Sequence, residues 1–190
     1  MEMLVTRTGY TGETGYEIFL KNATKDGLKL WNTMLEAGKP YNISPAGPSL
    51  IRRLEHGIRN YGQDVRLDNN PYEVGLGFAV DLNQEADFVG KESLTQIKKE
   101  GLKKKLVGIE FGTERMKGWN EDYWPVIEND KQIGHVTTAA YSPSLKKNIG
   151  YAMLPIERTE IGTKITILAR GDETEATVIK EPFITGKEKQ

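Results

Sequence analysis

The side chains most suggestive of chemistry lie in one glycine-rich stretch, Arg7-Thr8-Gly9-Tyr10-Thr11-Gly12-Glu13-Thr14-Gly15-Tyr16-Glu17. It sets a phenol and two carboxylates along a backbone that three glycines allow to turn sharply. A carboxylate can accept two side-by-side N–H bonds, and a tyrosine can pack on a flat ligand while presenting its hydroxyl. Strand alternation alone makes Glu17 an outward-facing carboxylate, and Tyr10 alone is ordinary loop packing. Arg52 and Arg53 could clamp a carboxylate, although a structural salt bridge is the simpler role for both. Trp119 and Trp124 flank a polar loop, where facing a cavity and packing on a surface weigh equally.

Several chemistries are excluded. The chain has no cysteine, so disulfides, thiolate nucleophiles and Cys-ligated zinc or iron–sulfur sites are absent. His56 and His135 are the only histidines, too few for a His-rich metal site. A Ser-His-Asp triad survives counting but lacks a Gly-x-Ser-x-Gly turn. No dinucleotide fingerprint is present. The net charge of -1 leaves no electrostatic footprint for nucleic acid or an anionic membrane, and Lys103-Lys104-Lys105 reads as solvated surface. No apolar run approaches the roughly 18 residues of a membrane span. The N-terminus has no signal-peptide pattern. These features fit a cytoplasmic protein.

The elements that must position these residues read as follows. Met3–Thr8 and the alternation at Tyr16, Ile18 and Leu20 predict a hairpin around the glycine loop. A strand starting so near Met1 leaves part of its sheet unaccounted for. Leu28, Leu30, Trp31, Met34 and Leu35 predict a helix closed by Gly38-Lys39-Pro40. A second helix follows Ser44-Pro45, through Leu50, Ile51, Leu54 and Ile58. Val74–Leu82 reads as a strand and Lys91–Lys99 as a third helix. After Gly101 the pattern becomes short strands: Leu106–Phe111, Pro125–Glu128, Gln132–Ala139, Ile149–Leu154, Lys164–Leu168 and Glu175–Ile179. Their spacing predicts a small β-barrel. With 37% hydrophobic and 28% charged residues, the chain can fill one or two cores.

The glycine-rich stretch resembles the folate-binding signature of the tetrahydrofolate-dependent aminomethyltransferases, the T-protein type of the glycine cleavage system. Three further segments agree in order. They are Arg53-Leu54-Glu55-His56-Gly57 with Tyr61-Gly62; Phe88-Val89-Gly90-Lys91-Glu92-Ser93-Leu94; and Ile133-Gly134-His135-Val136-Thr137-Thr138 with Tyr141–Gly150. The likeness covers nearly the whole chain and corresponds to about the second half of the family protein. It implies an α+β class, with a partial folate-binding domain at 1–101 and a small antiparallel β-barrel at 102–190.

The resemblance also implies one-carbon transfer to tetrahydrofolate. In glycine cleavage the donor is an aminomethyl group on a lipoyl arm, and ammonia leaves. Glu17 would hold the pterin, whose amino group and ring N–H sit side by side, and Tyr10 would lie beside the folate. Glu13 would only shape the loop. No catalytic residue is assigned, because the family aspartate near the reacting nitrogen belongs to the N-terminal half. The fragment alone is expected to be inactive. Implied partners are folate, a separate N-terminal half and a lipoyl carrier protein, with homo-oligomers as another use of the open sheet edge. The family's folate-contacting arginine aligns near Ser49, a departure that resembles demethylases of methylated amines or sulfonium compounds. Such a demethylase is the alternative activity, and a non-catalytic folate- or partner-binding module is the alternative class.

Overall fold

The structure is a computed structural model, in which residues 1–184 are described. The chain forms two compact units, Met1–Arg53 and Leu54–Gln190.

The first unit is a hairpin and a helix. β1 (Met3–Thr6) pairs antiparallel with β2 (Glu17–Leu20) in the register Met3↔Leu20, Leu4↔Phe19, Val5↔Ile18, Thr6↔Glu17. Among the described residues the sheet has only these two strands. α1 (Ala23–Gly38) follows, its start fixed by backbone bonds from Lys25 and Asp26 to the Asn22 carbonyl at 3.1 and 2.9 Å. Asp26 in the first turn suits the positive end of the helix dipole. Helix α1 stops at buried Gly38, against which Ile43 packs; a Cβ there would lie 2.0 Å from Ile43 Cγ2. The short α2 (Leu50–Glu55) is preceded by Ser49, whose hydroxyl accepts from Arg52 N at 3.3 Å, as an N-cap does.

The second unit contains α3 (Lys91–Glu100) and a barrel of six strands. These are β3 (Lys104–Phe111), β4 (Trp124–Glu128), β5 (Lys131–Ser142), β6 (Lys147–Pro155), β7 (Lys164–Ala169) and β8 (Asp172–Ile179). They close antiparallel in the order β3-β6-β5-β4-β7-β8. Alternation sends Val107, Ile109 and Phe111 of β3 into a core with Val126, Val136, Leu154, Ile167 and Val178. Each such side chain contributes about 1.5–3 kcal/mol by leaving water. The opposite face of β3 is covered too. The Phe183 ring sits against Gly108 on that face, and in the plane of the sheet Leu106 donates its N–H to the Glu73 carbonyl at 2.7 Å. The sheet itself closes tightly: a Cβ at Gly150 would stand 2.3 Å from the Thr138 carbonyl oxygen, so only glycine fits that strand crossing.

The α+β part followed by a small barrel is the class expected from the sequence, and all six barrel strands occur where the alternation placed them. The strand expected at Val74–Leu82 is absent. The segment instead closes its hydrogen bonds locally, Leu76 N to the Pro71 carbonyl at 2.8 Å and Ala79 N to the Leu76 carbonyl at 3.0 Å, with a 3-10 turn at Gly77–Ala79. Asn70 starts this path by accepting from Tyr72 N and Glu73 N. An apolar run carries no strand once its backbone groups are satisfied within the turn.

Candidate functional site

The hairpin presents the residues singled out by the sequence. β1 delivers Thr6, the chain runs through Thr8 and the glycine loop, and β2 returns at Glu17, directly opposite Thr6. Of the three loop glycines only Gly12 needs left-handed backbone, at φ +71°. That turn is supported by Glu13 N donating to the Thr11 hydroxyl at 3.3 Å. The Thr6 and Thr8 hydroxyls are hydrogen-bonded to each other at 2.7 Å, and Thr8 donates to Glu17 Oε2. Among the described residues Glu17 Oε1 takes no hydrogen bond. A carboxylate has about four lone-pair sites, so one hydroxyl leaves room for two N–H donors from a ligand.

Glu17 is exposed, and so is Tyr10, whose hydroxyl has no partner among the described residues. The same hairpin exposes Leu4 and Phe19. A folate pterin would fit these groups chemically: a strand carboxylate with open lone pairs, apolar Phe19 two residues on, and the exposed phenol of Tyr10 in the same hairpin.

Other candidates fall elsewhere. Arg53 is fully buried, in keeping with a structural role, whereas Arg52 is exposed. Ser49, the point of departure from the family pattern, serves as the cap of α2. The two tryptophans separate: Trp124 is buried at the start of β4, edge-on to Phe111 at 5.9 Å between ring centroids, while Trp119 is exposed. Among the described residues no group of three or more His, Asp or Glu side chains is arranged to hold a metal. None of their helices is long and apolar enough to cross a membrane.

One polar cluster in the second unit went unread in the sequence. Buried Asp64 accepts from the hydroxyls of Thr137 and Thr138 at 2.7 and 2.6 Å and from Asn60 N at 2.9 Å. The pairing of β5 with β6 shifts between Val136 and Thr138, so the Asn60–Val65 turn is pinned to a β-bulge. Asn120 joins this cluster by accepting from Ala139 N at 2.6 Å and donating to the Thr137 carbonyl at 3.2 Å. Nearby, His135 stacks on Tyr123 at 4.7 Å between centroids. Burial, with Lys104 and Arg66 adding to it, pushes the His135 imidazole below its usual pKa. Asp64 already receives three donors, which makes it a brace for the turn. Its only sequence signal was an acid after Tyr61-Gly62, which any loop can carry.

Comparison with known proteins gives these sites a context. The family described as GCVT N-terminal domain matches residues 1–84, and the glycine cleavage T-protein C-terminal barrel domain matches residues 104–184. The aminomethyltransferase of Geobacillus sp. (strain WCH70) is 44% identical over 185 residues, which are 96% of this chain and 50% of that protein. That of Bacillus subtilis (strain 168) is 40% identical over 182 residues, 95% of this chain and 49% of that protein. The crystal structure of the glycine cleavage system aminomethyltransferase T from Bartonella henselae superposes with a TM-score of 0.80 at 25% identity, over 95% of this chain and 49% of that one. The chain thus spans about half the length of the curated relatives it matches.

Proposed function

This chain belongs to the glycine cleavage T-protein (aminomethyltransferase) family, and we propose that it supplies the folate-holding C-terminal half of an enzyme that passes an aminomethyl unit to tetrahydrofolate. The observation that carries the reading is Glu17: a strand carboxylate fixed on one side by Thr8, with lone pairs open on an exposed face. When bound, tetrahydrofolate supplies the nucleophilic nitrogen that receives the one-carbon unit. Glu17 accepts the adjacent amino and ring N–H groups of the pterin, and the strand keeps that geometry stiff. Tyr10 packs beside the ring. Fixing the ring in this way holds the reacting nitrogen at one place and angle, which removes much of the entropic part of the barrier.

No residue of this chain takes a catalytic role in this reading. The group that stabilises charge as ammonia leaves corresponds to the preceding half of the relatives, and a lipoyl carrier protein brings the donor in the cytoplasm. The division at 101/102 into a folate-domain part and a barrel goes with this reading. The relatives are named aminomethyltransferases, which favours the aminomethyl donor over a methylated amine or sulfonium.

Ammonia release from an aminomethylated lipoyl carrier, with and without tetrahydrofolate, tests this. The chain alone should release none above a Glu17→Ala control. A chimera joining it to the preceding half of the Geobacillus aminomethyltransferase should release ammonia only with tetrahydrofolate. Folate-dependent release by the chain alone, or none by a folded chimera, would refute the reading.

A further inference from the structure

The lysine run Lys103-Lys104-Lys105 does not stay together on the surface. Lys103 is exposed, whereas Lys104 and Lys105 are half-buried. Strand alternation sends the last two to opposite faces of β3. Lys104 meets Asp68 and Glu73 at 3.8 and 3.9 Å. Lys105 shares the face of Val107 and Ile109, which looks into the barrel, and it has no hydrogen bond or ion pair among the described residues.

Lys105 borders a cleft of about 410 Å³. The cleft exists because β8 leaves β3 early. Their pairing runs from Phe111↔Ala176 to Gly108↔Ile179, so residues 104–107 lack β8 as a neighbour. Val107, Ile161, Val178 and Pro182 give the cleft apolar lining, and Lys180 stands in the same lining. One wall is fixed. The Arg59 guanidinium donates to the Val74 carbonyl at 3.2 Å, the Gly57 carbonyl at 2.8 Å and Glu181 Oε1 at 2.6 Å, and it stacks 4.3 Å from the centre of the Tyr151 ring. Pro182 packs on Gly57, where a Cβ would meet it at 3.2 Å. Arg59 and Glu181 cancel in charge, which leaves Lys105 and Lys180 as a positive surplus in the lining. Burial pushes the Glu181 carboxyl up, and Arg59 and then Lys105 pull it back, so the Lys105 charge is felt in this wall.

We propose that this cleft binds a small carboxylate with a short aliphatic body, the carboxylate on the Lys105 ammonium and the hydrocarbon against Val107, Ile161 and Val178. Three features choose that class. A half-buried ammonium without a partner has lost part of its hydration, and an anion restores it with a charge-assisted hydrogen bond. One such cation suits a monoanion better than a phosphate, whose several oxygens call for several donors. Much of the remaining lining is hydrocarbon, and the volume is that of a small-molecule site. The wall held by Arg59 is in place before any ligand arrives, which lowers the ordering cost of binding.

The test titrates the full 190-residue chain, labelled with nitrogen-15, with 4-methylpentanoate, 4-methylpentanol and inorganic phosphate, and follows the amide shifts. 4-Methylpentanoate should give saturable shifts at the amides of Gly57, Gly108 and Lys180, with a Kd of about 1 mM or tighter. The alcohol has the same body and no charge, and it should bind at least about tenfold more weakly, as should phosphate. Lys105→Met should weaken the carboxylate at least about tenfold, Lys105→Arg should hold it within about threefold, and Lys103→Met should leave it unchanged. Shifts that do not saturate, or that spare these amides, overturn the site. Equal affinity for the alcohol makes the cleft merely apolar, equal affinity for phosphate makes it an unselective anion patch, and full affinity in Lys105→Met removes the anchor; each overturns the proposal. The alcohol and phosphate titrations use the unaltered chain, so they decide even where Lys105→Met does not fold.

Discussion

The barrel and the hairpin treat apolar side chains in opposite ways. In the barrel Ile109, Ile149, Leu154 and Ile167 are wholly removed from water, every strand has two neighbours, and Phe183 packs on the outside of β3 at Gly108. In the hairpin and α1, Leu4, Phe19, Leu28, Trp31 and Met34 stay exposed beside a two-stranded sheet. The barrel is self-sufficient. The hairpin unit keeps apolar side chains exposed, and its candidate site lies on the same hairpin. The proposed binding residues and the best-buried core thus lie in different parts of one short chain, and mutations should separate their effects.

The largest effect belongs to the barrel core. Ile109→Ala removes a side chain with no exposure and should cost on the order of 2–5 kcal/mol, measured by urea unfolding. Phe19→Ala in the hairpin should stay within about 0.5 kcal/mol, as exposed sites do. Similar losses at the two positions would erase the contrast. Next comes the buried polar brace. Asp64→Ala removes the buried acceptor shared by the Thr137 and Thr138 hydroxyls and should cost on the order of 3 kcal/mol. Thr6→Ala, whose hydrogen bond lies in the exposed hairpin, should change stability little.

Smaller still is a pH effect confined to the barrel unit. The folded state lowers the pKa of His135, so below about pH 6.5 the unfolded chain takes a proton that the folded chain refuses. Stability should therefore fall as pH drops from that value towards the depressed folded pKa, and level off below it. His135→Gln should flatten this slope in thermal melts between pH 7.5 and 5. An unchanged slope would assign the proton uptake to another group. Glu181, whose pKa burial raises against the opposing pull of Arg59, gives a slope of the other sign: its contribution declines as pH rises through its folded pKa.

Legibility in the sequence followed the same divide. The barrel strands were readable because alternation and turn glycines act locally, as at Leu106–Phe111 and Lys164–Leu168. The hairpin around the glycine-rich loop was readable in the same way, whereas its register, with Thr6 opposite Glu17, and the singling out of Gly12 came only with the structure. Val74–Leu82 misled because its apolar residues mimic a strand, whereas Asn70 and Pro71 close the backbone into turns. Asp64 with Thr137, and Tyr123 with His135, were invisible because partners far apart in sequence meet only after the barrel closes. Ser49 looked like a missing arginine, yet its hydroxyl has local work at the start of α2.

The central claim is that Glu17, rather than its loop neighbour Glu13, is the carboxylate that holds folate. Calorimetric titration of the full-length chimera with a reduced folate tests it most directly. Glu17→Gln leaves one accepting oxygen where two served, which should cost on the order of 1.5–3 kcal/mol and weaken binding roughly ten- to a hundredfold. Glu13→Gln should change affinity by less than about threefold, within the small range of exposed substitutions. Equal losses at both positions, or unchanged affinity in Glu17→Gln, would contradict the assignment.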